Sequence, residues 1–175
     1  VSIFLIAAGF FWFYQMGLTK HHKPLRNNKW AKPLIIAVVW TLCCSVSLCV
    51  SSGSLDLSAG HMTTLSCFFF ILPMALLCDV ADMEVDGASG VSNLAVCFGP
   101  KTTAMAAALV GAVPALFYLL SISNIEQKWM ISLIATAVFC LAAAILVLFL
   151  PSRNARVWVD VLMLMKPFIL ILVSI

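Results

Sequence analysis

Six apolar stretches divide the chain, at about residues 1–18, 33–51, 60–78, 102–121, 129–150 and 157–175. Each has roughly the 17–25 residues that a helix needs to cross a bilayer. Between them lie polar connections of very different character. The first, Thr19 to Lys32, carries Lys20, Lys23, Arg26, Lys29 and Lys32 and no acid. The second, Ser52 to Ala59, is short and holds Asp56. The third, Asp79 to Lys101, is long and acidic at its start. The fourth, around Ser123 to Lys128, is balanced, and the fifth runs from Pro151 to Arg156. The pattern predicts an all-α, polytopic bundle of six membrane spans in one domain. Pro73, Pro114 and Pro167 fall inside spans, where neighbouring groups can satisfy the freed carbonyl.

Composition agrees. The 175 residues are 63% hydrophobic and 10% charged, with a mean hydropathy of +1.11, whereas a soluble domain carries about 25% charged residues. A soluble fold of this length cannot bury so much apolar surface. Connections one, three and five must share a side, because two spans separate each from the next. Together they hold Lys20, Lys23, Arg26, Lys29, Lys32, Lys101, Arg153 and Arg156, while connections two and four hold Lys128 alone. The positive-inside rule therefore places the basic connections, and the acidic one with them, in the cytoplasm. Trp12, Tyr14, Trp30, Trp129 and Trp158 fall near span ends, where such rings favour the interface, and Trp40, mid-span, is expected to pack between helices. The seven cysteines form no CxxC pair and read as small buried hydrophobes. No nucleic-acid partner is expected; the partner is the bilayer. The chain opens at Val1 inside one apolar run and closes at Ile175 inside another, without the layout of a signal peptide, so it is expected to be a piece lacking its N-terminal part.

The chemistry concentrates in Asp79-Val-Ala-Asp82-Met-Glu84-Val-Asp86. Four of the chain's seven acidic residues lie in these eight positions. On a helix turning about 100° per residue, Asp79, Asp82 and Asp86 share an arc of roughly 60°, and Glu84 points elsewhere. Three carboxylates on one face repel one another and call for a cation. An all-oxygen set suits a hard divalent ion such as Mg²⁺, which binds one or two carboxylates and keeps its remaining positions for water and phosphate. A solvated acidic loop is the plainer alternative.

Other residues carry weaker signals. Gly87 and Gly90 are expected to end the acidic helix and turn the chain. Lys101 lies at the start of the next apolar helix, where the dipole disfavours a cation unless an anion is bound; it is either a pyrophosphate contact or an interfacial lysine reaching for water. Lys20, Lys23 and Arg26 are candidate phosphate contacts, or serve topology and attraction to anionic lipid. His21-His22 point about 100° apart on a helix and have no third ligand. Lys166 in the last span pairs with an acid on another helix or marks a polar cavity.

Asp79-x-x-Asp82-x-x-x-Asp86, followed by Gly90-Val-Ser-Asn-Leu-Ala-Val and Gly99-Pro-Lys101, resembles the second aspartate-rich motif of the UbiA-type intramembrane prenyltransferases. Tyr14 to Lys32 and the following Pro33 to Trp40 are similar to that family's basic connection and next span. The resemblance implies a bundle of nine transmembrane helices, of which this chain supplies about four to nine. It implies two cytoplasmic Asp-rich motifs that hold the pyrophosphate of a polyprenyl donor through Mg²⁺, and transfer of the polyprenyl group to an aromatic or other lipid acceptor. The family's first aspartate motif has no counterpart here and is expected upstream of Val1, on the missing helices. Ser92-Asn93-Leu94 departs mildly from the family's Thr-Leu. A non-catalytic relative or a cation or lipid carrier is the alternative. A CDP-alcohol phosphotransferase fits less well, because Asp86-Gly87 follows the other aspartates and no Ala-Arg comes next.

Overall fold

The computed structural model describes residues 28–52, 57–120 and 127–174, together with the isolated Gly9. The first apolar stretch, His21-His22 and the candidates Lys20, Lys23 and Arg26 lie outside the described residues. Seven helices are present among those that are described: α1 (Ala31–Ser52), α2 (Leu57–Ala81), α3 (Met83–Ala88), α4 (Leu94–Phe98), α5 (Pro100–Leu120), α6 (Gln127–Phe149) and α7 (Ser152–Ser174). The five long ones coincide with the apolar stretches that begin near residues 33, 60, 102, 129 and 157. The protein is thus all-α over these residues. Three stretches, Thr64–Ala81, Pro100–Phe117 and Met130–Phe149, are long and apolar enough to cross a membrane, and Ala31–Val46 is apolar but shorter.

The bundle is built around α2, which packs against α1, α5, α6 and α7. Its buried residues include Phe70, Ile71, Met74, Leu76 and Leu77, so that most of its circumference is covered. The outer helices bury small side chains and expose large ones. On α5, Ala104, Ala107 and Gly111 face inward, while Met105, Leu109, Leu116 and Phe117 face outward. On α6, Thr136, Cys140, Ala143 and Ala144 are buried, while Ile134, Val138, Leu141 and Ile145 are exposed. That order inverts the arrangement of a soluble helix. It suits lipid, where apolar surroundings give no reason to hide large side chains and small residues let backbones approach. Trp40 follows the same logic: it faces outward at 57% exposure rather than packing between helices.

The closest approach is at Gly111. A Cβ built there would lie 2.5 Å from the Cys140 Cβ, 2.6 Å from its Sγ and 3.5 Å from the Pro73 ring. Glycine is required because the Cys140 side chain of α6 packs directly on the α5 backbone here, beside the α2 proline. Hydroxyl contacts bridge other pairs. Ser45 and Thr64 lie 2.7 Å apart between α1 and α2, and Ser66 and Ser132 lie 3.5 Å apart between α2 and α6. The cysteines divide: Cys140 is buried as expected, but Cys97 is exposed on α4.

The short helices lie at the acidic end of α2. Backbone bonds from Asp82 N to Cys78 O and from Asp86 N to Asp82 O, each 2.9 Å, carry the helical course across the joint between α2 and α3. Asp82 itself sits at φ −90°, ψ 0°. Gly87 lies within α3 rather than ending it. The turn is made at Gly90, whose φ of +71° belongs to the left-handed region that glycine adopts without a Cβ clash. A second such residue, Gly99 at φ +86°, separates α4 from α5, and Pro100 opens α5, a position where its missing N–H costs nothing.

Candidate functional site

At the acidic end of the bundle, ion pairs join three connections that are distant in sequence. Lys32 closes the first connection and lies in the first turn of α1. Asn28 precedes it as a cap, its Oδ1 accepting from Trp30 N at 3.1 Å and its backbone carbonyl from Ala31 N at 3.0 Å. Lys29 lies over the Phe98 ring at 4.5 Å, and Trp30 packs near the same ring, which fixes this entry against α4. Lys32 is thereby aimed inward. Its Nζ sits 2.6 Å from Asp79 Oδ1 and 3.3 Å from Asp86 Oδ2.

Asp79 is the most enclosed acid of the motif, its side chain 1% exposed. Neither of its oxygens meets a donor in line for a hydrogen bond. Oδ1 is held to Lys32 by charge and proximity, and Oδ2 is buried with no partner. An unmatched carboxylate oxygen away from water is costly, so its surroundings matter. Asn93, itself buried, organises them. Its Nδ2 donates to Asp86 Oδ2 at 2.7 Å and to the Asp79 carbonyl at 3.3 Å, and its Oδ1 accepts from Val96 N at 2.7 Å, capping α4. One side chain thus ties the end of α2, the acid on α3 and the start of α4.

Asp82 turns the other way. Its Oδ1 pairs with Arg156 in the first turns of α7. The shared face expected of Asp79, Asp82 and Asp86 is therefore divided between two cations: Asp79 and Asp86 converge on Lys32, and Asp82 on Arg156. Among the described residues no three His, Cys, Asp or Glu side chains gather as a ready-made metal set. Glu84 is exposed on α3, as its helical phase requires. Lys101 is exposed at the start of α5, and Lys166 lies on α7, where side chains are described only as far as Met165.

Burial works to lower the Lys32 pKa, but the carboxylates of Asp79 and Asp86 outweigh it, so the lysine stands above its ordinary 10.5 and remains charged at neutral pH.

Nothing matches the chain among protein-family models, curated proteins or solved structures. The reading of the site therefore rests on its own geometry and on the motif.

Lys32, Asn93 and Arg156 were not singled out as site residues by the sequence pattern. Lys32 and Arg156 belong to the basic connections, and charge balance on one side of the bundle was the available signal for them. Asn93 carried the signature of a helix cap ahead of Leu94-Ala-Val, which marks a helix start without saying what the cap's amide will reach.

Proposed function

We propose that this chain forms the C-terminal part of a UbiA-like intramembrane prenyltransferase, about helices four to nine of a nine-helix bundle, with the charged end facing the cytoplasm. The reaction is Mg²⁺-dependent transfer of a polyprenyl group from its pyrophosphate to a lipid or aromatic acceptor. The observation that carries the reading is the convergence of Asp79 and Asp86, from separate helices, on one cation position at the end of an apolar bundle. An amphipathic substrate with an anionic head and a long apolar tail has the matching shape.

The fit to Mg²⁺ is good for two of the three aspartates. Asp79 and Asp86 would hold the ion where the ammonium now lies, and the partnerless Asp79 Oδ2 is a donor in reserve. Two carboxylates with the remaining positions left to water and phosphate are what this ion takes. When bound, it would neutralise charge on the leaving pyrophosphate. Asp82 contributes only if Arg156 releases it. Asn93 orients Asp86, and Lys101, Lys20, Lys23 and Arg26 are the cations available for phosphate oxygens.

A second reading, a non-catalytic relative, has its own support: each aspartate of the motif already faces a protein cation. The test is pyrophosphate release from geranylgeranyl and shorter polyprenyl pyrophosphates by the full-length protein in nanodiscs. Mg²⁺-dependent release that Asp79→Asn and Asp86→Asn abolish supports the transferase. No release with any donor, or release that survives both substitutions, sinks it.

A further inference from the structure

The Lys32 ammonium occupies the one place where two carboxylates of the motif meet. It lies 2.6 Å from Asp79 and 3.3 Å from Asp86, and its own side chain is 23% exposed while that of Asp79 is 1% exposed. Two carboxyl groups thus face a single ammonium. Asp79 Oδ2, fully enclosed, remains without a partner. A divalent ion at the same point would face both carboxyl groups, and the lysine, 23% exposed, already reaches solvent.

We infer that Lys32 is an exchangeable internal counterion, which fills a divalent-cation pocket formed by Asp79 and Asp86 and leaves it when the ion binds. The inference deepens the Mg²⁺ reading of these two aspartates and rests on it. The lysine keeps the empty pocket from collapsing under repulsion, and its departure places a free ammonium beside the ion, where an anionic ligand of the metal would meet it. Asn93 stays in place through the exchange: its Nδ2 holds Asp86 and its Oδ1 holds the α4 cap.

A tethered group competes at an effective concentration of about millimolar or more. Removing it tightens ion binding by roughly tenfold or more.

The test uses Mn²⁺, which shares the oxygen preference of Mg²⁺ and is read by electron paramagnetic resonance, with the full chain in nanodiscs. Lys32→Met, which keeps the stem and removes the charge, is expected to bind Mn²⁺ at least tenfold more tightly than the native chain, and Asp79→Asn to lose binding. In the native chain, saturating Mn²⁺ is expected to raise acetylation of Lys32 by an amine reagent, read by mass spectrometry. Equal affinity in the native chain and Lys32→Met, with binding still lost in Asp79→Asn, overturns the exchange and leaves the metal reading intact. Absence of binding to both overturns both. Should Lys32→Met not fold, the native labelling decides, and acetylation of Lys32 unchanged by Mn²⁺ refutes the inference.

Discussion

Asp79 and Lys32 are unequal members of their pair, and the inequality predicts which loss hurts more. Lys32→Met removes the cation but keeps most of the stem's packing. The Asp79 side chain, 1% exposed, is then left without its counter-charge. Breaking a buried pair from one side costs about 3–5 kcal/mol; the 23% exposure of Lys32 lets water share the charge, which puts the expected loss at about 3 kcal/mol. Asp79→Asn is milder. Lys32 can turn outward or settle on Asp86, and the amide leaves at most a polar group imperfectly satisfied, a loss of about 1–2 kcal/mol. The double variant should cost less than the two single losses added, because it removes the stranded charge, with a coupling of about 1–2 kcal/mol. Arg156→Ala is the control. The Arg156 side chain is 54% exposed, and such pairs contribute about 1 kcal/mol or less. The assay is reversible unfolding in mixed micelles, with increasing SDS as denaturant. Asp79→Asn as damaging as Lys32→Met, or coupling indistinguishable from zero, would refute the reasoning.

Three further outcomes follow from the same geometry. Gly111→Ala places a methyl 2.5 Å from the Cys140 Cβ and should destabilise by about 1–3 kcal/mol in the same titration. Asn93→Ala removes the α4 cap and the Asp86 bond together, for about 2 kcal/mol, and should raise amide exchange at Val96. Asn93→Asp keeps the cap acceptor but sets a carboxylate against Asp86, so it should be worse than a lost cap alone. For pH, the Lys32 pKa is raised in the folded protein. The stability it supplies is fully present below the ordinary lysine value of about 10.5 and is lost as pH rises through the folded value. Melting temperature should lose this contribution only in strong alkali, and Lys32→Met should lack that component.

The long helices were legible because each apolar run has a length and ends that punctuate it. Pro33 and Pro100 stand in first turns, and Gly90 turns the chain where its place in the sequence suggested. The aspartates were legible as a cluster, and their helical phase correctly separated Glu84. What periodicity could not carry was the pairing. Asp79, Asp82 and Asp86 share an arc on an ideal helix, but Asp82 sits at the joint between α2 and α3 and meets α7, whose direction is set by Ala155, Val159 and Leu162 packing inward. Lys32 reaches Asp79 across 47 positions of chain, a contact fixed by how α1 lies on α2. The outward turn of Trp40 has the same origin: a helix's exposed side depends on its neighbours, and an apolar residue gives no hint of which side that is when lipid serves as well as protein.

The contact at Gly111 bears on how the chain is assembled. Helices α5 and α6 follow one another in sequence, and their closest point needs nothing from α7. Close packing of this kind works through dispersion at short range, and it is available inside a bilayer where hydrophobic attraction between helices is not. The two can therefore enter the bilayer as a preformed hairpin during synthesis. Helix α7, which follows α6 in the chain, then packs on a surface already shaped to receive it, with the Asp82 carboxylate placed for Arg156.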